Sequence, residues 1–363
     1  MYSLFIRDCY TTDAIPQDDI TQSRTSNDTG VSLLAIFDRG IYLPELDVWL
    51  DSLRKKDTCI VSHAHSDHIA RHIEPILTPE SSLLLDEYYK KSSPISLPYY
   101  QTHAKGNYTI TFYPAGHCLG SAQTLIQSLD TGEKILYTGD FKTRFNDINK
   151  PFEFVPCDTL IIESTYGNPE YTFPDPAIVL DIAVTRLKEW LNQGIRPVIN
   201  SWKLGKSQEI LHHLQLVGLN VFLEQSVYDI TVKYVESGVA FPGSINLFTG
   251  DSWPEESILI CPPGKASFQL TNHFTRIKFM ELTGWSVNPR RSFSRRVDVS
   301  LPYSDHADFN ELVELVTTLN PKQTYTVNGF PELSQYLRNQ GHPSIHLGQA
   351  HHNQDQGYQM KLI

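Results

Sequence analysis

The sequence has few cysteines, few methionines and no long apolar run, and these scarcities exclude several classes of protein. Five cysteines in 363 residues, with no Cys-x-x-Cys pair, argue against a disulfide-stapled module and against a cysteine zinc site. No stretch approaches the roughly 18 consecutive apolar residues that a membrane span needs. No basic segment followed by an apolar one is visible near residue 1, so no secretory signal is expected. We therefore expect reduced thiols and a cytoplasmic location.

Positive charge is also scarce. The chain has 30 Lys and Arg against 41 Asp and Glu, which gives a net charge of −11 with neutral histidines. A protein that binds polyanions over its whole surface is usually basic, so any contact with nucleic acid must be local. The apolar content of 40% supports a packed core, and the length allows two domains.

Composition and periodicity divide the chain into three parts. Residues 1–30 are polar and acidic, which predicts a mobile N-terminal arm. From 31 to 170, short strand-like runs such as Tyr108–Tyr113 end in polar loops, which predicts stacked sheets with a site at the strand ends. Between 171 and 300, strand and helix patterns alternate, which predicts an inserted parallel α/β domain. Residues 301–363 are expected to return to the first domain.

A run of histidines and aspartate, HAHSDH at residues 63–68, follows a short apolar strand. Since alternate residues of a strand point the same way, His63 and His65 can share one cation, whereas Asp67 and His68 can reach a second. The alternative is a histidine-rich surface tract. A buried strand seldom ends in such a run for packing reasons, so a metal site is the preferred interpretation.

Two later strand ends supply further ligands. His117 lies between glycines in AGHCLGS, and Asp140 lies in YTGDF after the strand-like run KILYT. A carboxylate has two oxygens and can bridge two cations, which an imidazole cannot do. Either residue alone also fits a loop or capping role. Downstream of the histidine run, they complete a two-metal site.

These motifs resemble the metallo-β-lactamase superfamily, and three others resemble its β-CASP nuclease family. The segment ESTYG at residues 163–167 is similar to the acidic motif that opens the β-CASP insertion. LGKSQE at residues 204–209 is similar to a helix start inside it, and SDHAD at residues 304–308 is similar to the motif that closes it. The resemblance runs from about residue 31 to 341, and stand-alone bacterial exonucleases and mRNA 3'-end processing factors are the members most alike. It implies an α/β fold, with an αββα metallo-β-lactamase sandwich and an inserted α/β β-CASP domain.

The resemblance also implies a ligand set for two zinc ions. The first ion would be held by His63, His65, His117 and Asp140. The second ion would be held by Asp67, His68 and the bridging Asp140. Asp51 matches an early strand-end aspartate that orients ligands without binding metal itself, and Asp38 is a rival for that role.

The implied reaction is hydrolysis of phosphodiester bonds in single-stranded DNA or RNA. Two cations would activate a water that Asp67 orients, and His306, hydrogen-bonded to Glu163, would act as general acid for the leaving oxygen. The expected partner is a nucleic-acid strand or end, without a membrane, and an exonuclease is the expected type. Two alternatives stay open: a hydrolase of small esters or phosphodiesters, and a scaffold subunit with little or no turnover.

One position departs from the family pattern. Members that act on RNA usually carry a histidine ligand of the second zinc where this chain has Asn328. An amide oxygen is a weaker zinc ligand, so the second site is predicted to be weak, to prefer manganese or to be partly filled. Asn328 therefore counts as a candidate contact to the second metal or the substrate.

Basic residues beside the motifs are candidates for phosphate contacts. Lys206 is assigned such a contact, whereas a role in the fold is preferred for Lys142, Arg144 and Lys203. A basic loop just before residues 304–308 either binds phosphates or is merely solvated. Its arginines are Arg290, Arg291, Arg295 and Arg296.

Overall fold

A computed structural model describes residues 35–288 and 297–348 of the chain. Within these ranges the protein has nineteen strands in three sheets, seven α-helices and one 3-10 helix. The predicted arm at residues 1–30 lies outside the described residues. The arginines of the predicted basic loop, Arg290, Arg291, Arg295 and Arg296, also lie outside them.

The first sheet begins as an antiparallel meander and continues with parallel strands. Its strands, in order across the sheet, are β1 (Ile36–Phe37), β2 (Ile41–Leu43), β3 (Val48–Leu50), β4 (Thr58–Ile60), β5 (Glu74–Leu77) and β6 (Ile95–Ser96). Strands β1 to β3 pair antiparallel, and β3 to β6 pair parallel. Helix α1 (Pro79–Leu84) begins after Thr78, whose side chain accepts a hydrogen bond from the amide of Ser81.

The second sheet is mixed, with parallel and antiparallel pairs. Its strands are β7 (Thr102–Lys105), β8 (Tyr108–Pro114), β9 (Ala122–Ser128), β10 (Lys134–Tyr137), β11 (Thr159–Glu163), β18 (Gln323–Val327) and β19 (Ser344–His346). Their order across the sheet is β19, β18, β11, β10, β9, β8, β7. Because β11 is central, all five of its residues are buried, which explains its continuous apolar run rather than an alternating one.

The inner faces of these two sheets form one core. Leu50 and Ile60 of the first sheet belong to the same buried cluster as Ile126 and Ile135 of the second. Helices cover both outer faces. Helices α6 (Phe309–Leu319) and α7 (Glu332–Asn339) pack on the second sheet, and the end of α1 packs on the first. The order of layers is therefore helix, sheet, sheet, helix, as predicted.

The third sheet is entirely parallel. Its strands, in order across the sheet, are β14 (Asn246–Leu247), β13 (Asn220–Leu223), β15 (Ser257–Cys261), β12 (Arg196–Asn200), β16 (Ile277–Leu282) and β17 (Val299–Leu301). Its helices are α2 (Pro176–Asn192), α3 (Lys206–Leu216), α4 (Gln225–Glu236) and α5 (Lys265–Thr271), with the 3-10 helix η1 (Gly284–Val287) after β16. Residues of α2, α3 and α4 share one core with this sheet, as expected for parallel strands joined by helical crossovers.

Local signals mark the helix starts, whereas several strands escaped prediction. Helix α2 begins at Pro176 after the capping residue Asp175, and α6 begins with a capping box between Asp308 and Glu311. β15, β16 and α4 were not predicted. The proposed boundary between residues 300 and 301 falls within β17, and the division into domains remains a prediction.

Two further predictions concern cysteines and membrane spans. The four cysteines in the described part of the chain, Cys59, Cys118, Cys157 and Cys261, form no disulfide with one another. Among the described residues, no helix combines the length and apolar character that crossing a bilayer requires.

Candidate metal centre

The predicted metal ligands, and Glu163 as the predicted partner of His306, lie at the carboxyl ends of strands from both sheets of the sandwich. Residues 63–68 follow β4, His117 follows β8, Asp140 follows β10, and Glu163 is the last residue of β11. Strands β8, β10 and β11 run in the same direction, because β8 and β10 are each antiparallel to β9 and β11 is parallel to β10. Their carboxyl ends therefore meet at one edge, where the side chains converge.

Four of the predicted residues form the first cluster, defined here as His63, His65, His117 and Asp140. Their ligand atoms all lie within 4.8 Å of one another. His65 Nδ1 lies 2.9 Å from His63 Nε2 and 3.1 Å from His117 Nε2. Asp140 Oδ2 lies 3.6 Å from His63 Nε2. Three ring nitrogens and one carboxylate oxygen are a ligand set that zinc accepts.

In each of the three rings, the hydrogen-bond partner of the nitrogen that points away from the cluster fixes the tautomer. His117 Nδ1 faces the carbonyl oxygen of Asp305 at 2.7 Å, and His65 Nε2 faces that of Leu204 at 3.2 Å. Carbonyl oxygens only accept, so these two nitrogens carry the hydrogens. His63 Nδ1 faces Ser62 Oγ at 2.9 Å. The Ser62 hydroxyl donates to the Asp51 carboxylate, so it accepts from His63.

As a result, all three nitrogens that face one another inside the first cluster carry lone pairs. Burial lowers the pKa of each ring: well below its usual range for His63, to about 3 for His117, and in the same direction for His65. The rings are therefore neutral, and no imidazolium proton bridges them. Three lone pairs at such short distances repel one another, and a cation between them would relieve that repulsion, so the donor set fits a bound metal ion.

A second cluster adjoins the first and is defined by Asp51, Asp67, His68 and Asp140. His68 Nδ1 contacts Asp51 Oδ2 at 2.8 Å, and its Nε2 faces Asp140 Oδ2 at 3.1 Å. Asp67 is exposed, and its Oδ2 lies 4.0 Å from His68 Nε2. Asp140 thus touches both clusters, which is the position that a bridging carboxylate requires.

Asp51 organises the histidine run without facing the first cluster. Its Oδ1 accepts a hydrogen bond from the Ser62 amide at 2.7 Å, and its Oδ2 accepts from the hydroxyls of Ser62 and Tyr137. The rival candidate, Asp38, lies on the surface in an exposed ion pair with Arg54 at 2.9 Å. Of the two, only Asp51 contacts residues of the site.

Asn328 lies at the rim of the second cluster. It is exposed, follows β18 and adopts a left-handed backbone conformation with φ of 56°, which asparagine tolerates better than most residues. Together with Asp51, Asp67 and Tyr137, it lines a small cavity of about 40 Å³. The structure therefore places Asn328 beside the predicted second metal site.

His306 and Glu163 form a hydrogen-bonded pair beside Asp140. His306 Nδ1 lies 2.9 Å from Glu163 Oε2 and 3.9 Å from Asp140 Oδ2. Glu163 is itself held in place, because it accepts hydrogen bonds from the Phe141 amide at 2.7 Å and from the Thr165 hydroxyl at 2.6 Å. This pairing directs His306 Nε2 away from Glu163.

The carboxylates also affect the protonation of His306. Burial alone lowers the pKa of this ring, but the charges of Glu163 and Asp140 outweigh burial and raise the pKa to about 9. Burial raises the pKa of Glu163, although His306 opposes that shift. A histidine whose Nδ1 hydrogen is held by a carboxylate is a suitable proton donor through Nε2.

The basic residues near the motifs are mostly committed to buried ion pairs. Lys206 is 2% exposed and pairs with Asp305 at 3.1 Å, and Lys142 pairs with Glu209 at 2.7 Å. Arg144 pairs with two carboxylates of the α6 capping box. Lys203 is exposed. The Lys206 ammonium therefore supports the loop before His306 rather than facing solvent.

Several site residues were not anticipated from sequence. They are Ser62, Tyr137, Leu204, Asp305, Glu209 and Tyr303. Leu204, Glu209 and Asp305 lie inside motifs quoted above, and Ser62 directly precedes one, so their positions offered a signal. The roles of Tyr137 and Tyr303 could not be read from sequence, because a buried tyrosine that packs and one that donates a hydrogen bond look alike there.

Comparison with protein families adds an independent finding. Residues 296–348 match the model of the Zn-dependent metallo-hydrolase RNA specificity domain. This segment carries His306, α6, β18 and Asn328. The match therefore covers the C-terminal part of the chain, which contributes His306 and Asn328 to the site.

Curated relatives match between 43% and 86% of the chain. A probable DNA ligase of Opitutus terrae is 34% identical over 318 residues, 86% of this chain and 31% of that protein. The DNA cross-link repair 1A protein of Gallus gallus is 24% identical over 306 residues, 74% of this chain and 30% of that protein. An RNase J-like protein of Methanocaldococcus jannaschii is 31% identical over 180 residues, 43% of this chain and 42% of that protein.

The chain spans about a third of the length of the first two of these relatives. The motifs at the strand ends agree with the similarity to these relatives and with the matched metallo-hydrolase segment. They also agree with the fold, a four-layer sandwich with an additional parallel sheet. The chain belongs to the β-CASP family of the metallo-β-lactamase superfamily.

Proposed function

We propose that the protein is a metal-dependent nuclease that hydrolyses phosphodiester bonds in single-stranded nucleic acid. The observation that carries this proposal is the convergence of three neutral imidazoles and one shared carboxylate beside a histidine–glutamate pair. Three nitrogen ligands favour zinc as the first ion, with manganese or zinc at the second site. A bound cation there would lower the pKa of water and neutralise charge on the phosphate.

The residues around the centre then have separate roles. His63, His65, His117 and Asp140 would hold the first ion, and Asp67, His68 and Asp140 the second. The exposed Asp67 would orient the attacking water. His306, with its Nδ1 hydrogen held by Glu163, would deliver a proton from Nε2 to the leaving sugar oxygen.

We propose single-stranded DNA as the substrate, attacked from an end. The two relatives whose names refer to DNA match 86% and 74% of this chain, whereas the RNase J-like protein matches 43%. Asn328 agrees with this choice, since a histidine is usual there in members that act on RNA. Leu204 of the third-sheet region contacts His65, so the metal cluster is closed on one side, which favours a threaded strand end.

The test compares end-labelled single strands of DNA and RNA with the same sequence, in zinc and in manganese. Wild type is expected to shorten DNA progressively from one end and to lose activity on chelation. His65→Ala is expected to lower the rate by about 10³-fold, the loss of several kcal/mol of transition-state stabilisation. His103→Ala, on the edge strand β7, is the control and should retain activity.

Other outcomes would decide against parts of the proposal. Faster cleavage of RNA overturns the choice of DNA, and cuts within circular single strands overturn the end requirement. Cleavage of bis(p-nitrophenyl) phosphate without cleavage of either nucleic acid supports a hydrolase of small substrates. A purified protein with less than one equivalent of metal and no turnover supports a scaffold.

Asn328→His tests the weakness of the second metal site. Histidine tolerates the left-handed conformation at this position and supplies an imidazole beside Asp67. We expect the second equivalent of zinc to bind about tenfold more tightly, the lower end of the effect that changes around a metal have on affinity. Isothermal titration of metal-free protein with zinc measures this, and unchanged affinity would place Asn328 outside the metal's surroundings.

A further inference from the structure

One buried carboxylate outside the two metal clusters contacts three residues from two separate segments of the chain. Glu209 lies on α3 and is 5% exposed. Its Oε2 accepts hydrogen bonds from Lys142 Nζ at 2.7 Å and from the Tyr303 hydroxyl at 2.6 Å. Its Oε1 accepts from Asn149 Nδ2 at 3.3 Å.

The first contact links Glu209 to the loops of Asp140 and His117. Lys142 is two residues after Asp140 and is 1% exposed, and its amide donates to the Ala115 carbonyl at 3.0 Å. Gly116 adopts φ of 76°, and a Cβ there would lie 2.2 Å from the Lys142 carbonyl oxygen. The two loops are thus in direct backbone contact at the residue that Glu209 binds.

The other two contacts reach the loop of His117 and the segment that precedes His306. Asn149 Nδ2 also faces the His117 carbonyl oxygen, at 3.5 Å. Tyr303 is 3% exposed and directly precedes Ser304, whose hydroxyl accepts a hydrogen bond from the His306 amide at 3.0 Å. One side chain therefore lies within two contacts of the segments that carry Asp140, His117 and His306.

We propose that Glu209 is a positioning residue that aligns these three segments for metal binding and proton transfer, so that the region of the third sheet is part of the metal centre. This rests on the proposed role of the clusters as a metal site. The carboxylate accepts three hydrogen bonds and pairs with one cation in a buried space, so small displacements of any segment break a contact. The partners of metal ligands commonly control affinity in this way.

A merely structural role must be separated from positioning, because removing one partner of a buried ion pair strongly destabilises a protein. Glu209→Gln preserves the shape of the side chain but leaves the Lys142 ammonium without its counter-charge. The double variant Lys142→Met/Glu209→Leu removes both charges and all three hydrogen bonds. Thr231→Val is the matched control, since it breaks a buried 3.0 Å hydrogen bond from Gln208, the neighbour of Glu209.

The readouts are zinc affinity by competition with a chromophoric chelator, the visible spectrum with cobalt(II), and the melting temperature of the metal-free protein. Glu209→Gln is expected to weaken zinc binding about 10- to 100-fold and to change the cobalt spectrum. The double variant should regain melting temperature but keep the weak zinc binding. Thr231→Val should lower the melting temperature and leave zinc affinity unchanged.

Two results would overturn the proposal. One is recovery of zinc affinity in the double variant, which would show that Glu209 only balances the charge of Lys142. The other is a lower melting temperature in Glu209→Gln with unchanged zinc affinity and cobalt spectrum. Failure of the proposed nuclease function can be distinguished from failure of this proposal. If the wild type binds zinc but cuts no nucleic acid, zinc affinity, the cobalt spectrum and the melting temperature can still be compared among all the variants.

Discussion

Asp140→Asn is expected to reduce cleavage of single-stranded DNA by about 10³-fold or more, the equivalent of several kcal/mol of transition-state stabilisation. Its Oδ2 lies 3.6 Å from His63 Nε2, 3.1 Å from His68 Nε2 and 3.9 Å from His306 Nδ1. Among the described residues, it is the only carboxylate within 4 Å of all three rings. Asparagine keeps the shape but removes the charge and one acceptor oxygen.

Kinetics and metal analysis of the same preparation test this expectation. The variant should lose both kcat/KM and bound zinc, because the first and second clusters share the altered group. Asp38→Asn is the control, since its exposed pair with Arg54 contributes at most about 1 kcal/mol and contacts nothing at the site. A variant at residue 140 that keeps full zinc content and wild-type kcat/KM would exclude a bridging carboxylate there.

His306→Ala is expected to lower kcat about 10²- to 10⁴-fold, the range for loss of a general acid. KM and zinc content should change little, because His306 lies outside the first cluster and its Nδ1 is held by Glu163. Steady-state kinetics on a short single strand of DNA measure the two parameters separately. Glu163→Gln should give a smaller loss in the same direction, since it weakens the hold on Nδ1.

A change of leaving group isolates the proton transfer. The p-nitrophenyl ester of a thymidine phosphate releases an anion that needs no proton, so His306→Ala should affect this substrate far less than DNA. Equal losses on both substrates would assign His306 to binding or metal geometry instead. The comparison uses one enzyme preparation and therefore does not depend on how well the variant folds.

The candidate metal ligands could be selected from sequence because each belongs to a short motif at a strand end. Strand periodicity predicted β4, β8 and β10, and the polar residues that follow them converge as expected. Lys206 shows the limit of such reasoning. Sequence gives its charge but not its exposure, and the structure buries its ammonium against Asp305. In the described fold, the Lys206 ammonium therefore pairs with a carboxylate of the protein instead of facing a phosphate.

The strand β15 escaped prediction for a related reason. Strands buried on both faces lack the alternation that identifies a half-exposed strand, and all five residues of β15 are buried. The partners of β12 in the third sheet are therefore visible only once the sheet is assembled. The order of the strands, with β15 and β16 on either side of β12, follows from packing and not from chain order.

By itself, the sequence determined which residues could bind metal and which strands present them, because motif chemistry and strand periodicity are local properties. Only the tertiary structure decided how those residues are supported. Tyr137 reaches Asp51 across 86 residues, and Glu209 reaches Lys142 across 67 and Tyr303 across 94. Such contacts depend on how sheets and helices pack, since buried polar groups must find partners wherever the fold brings segments together.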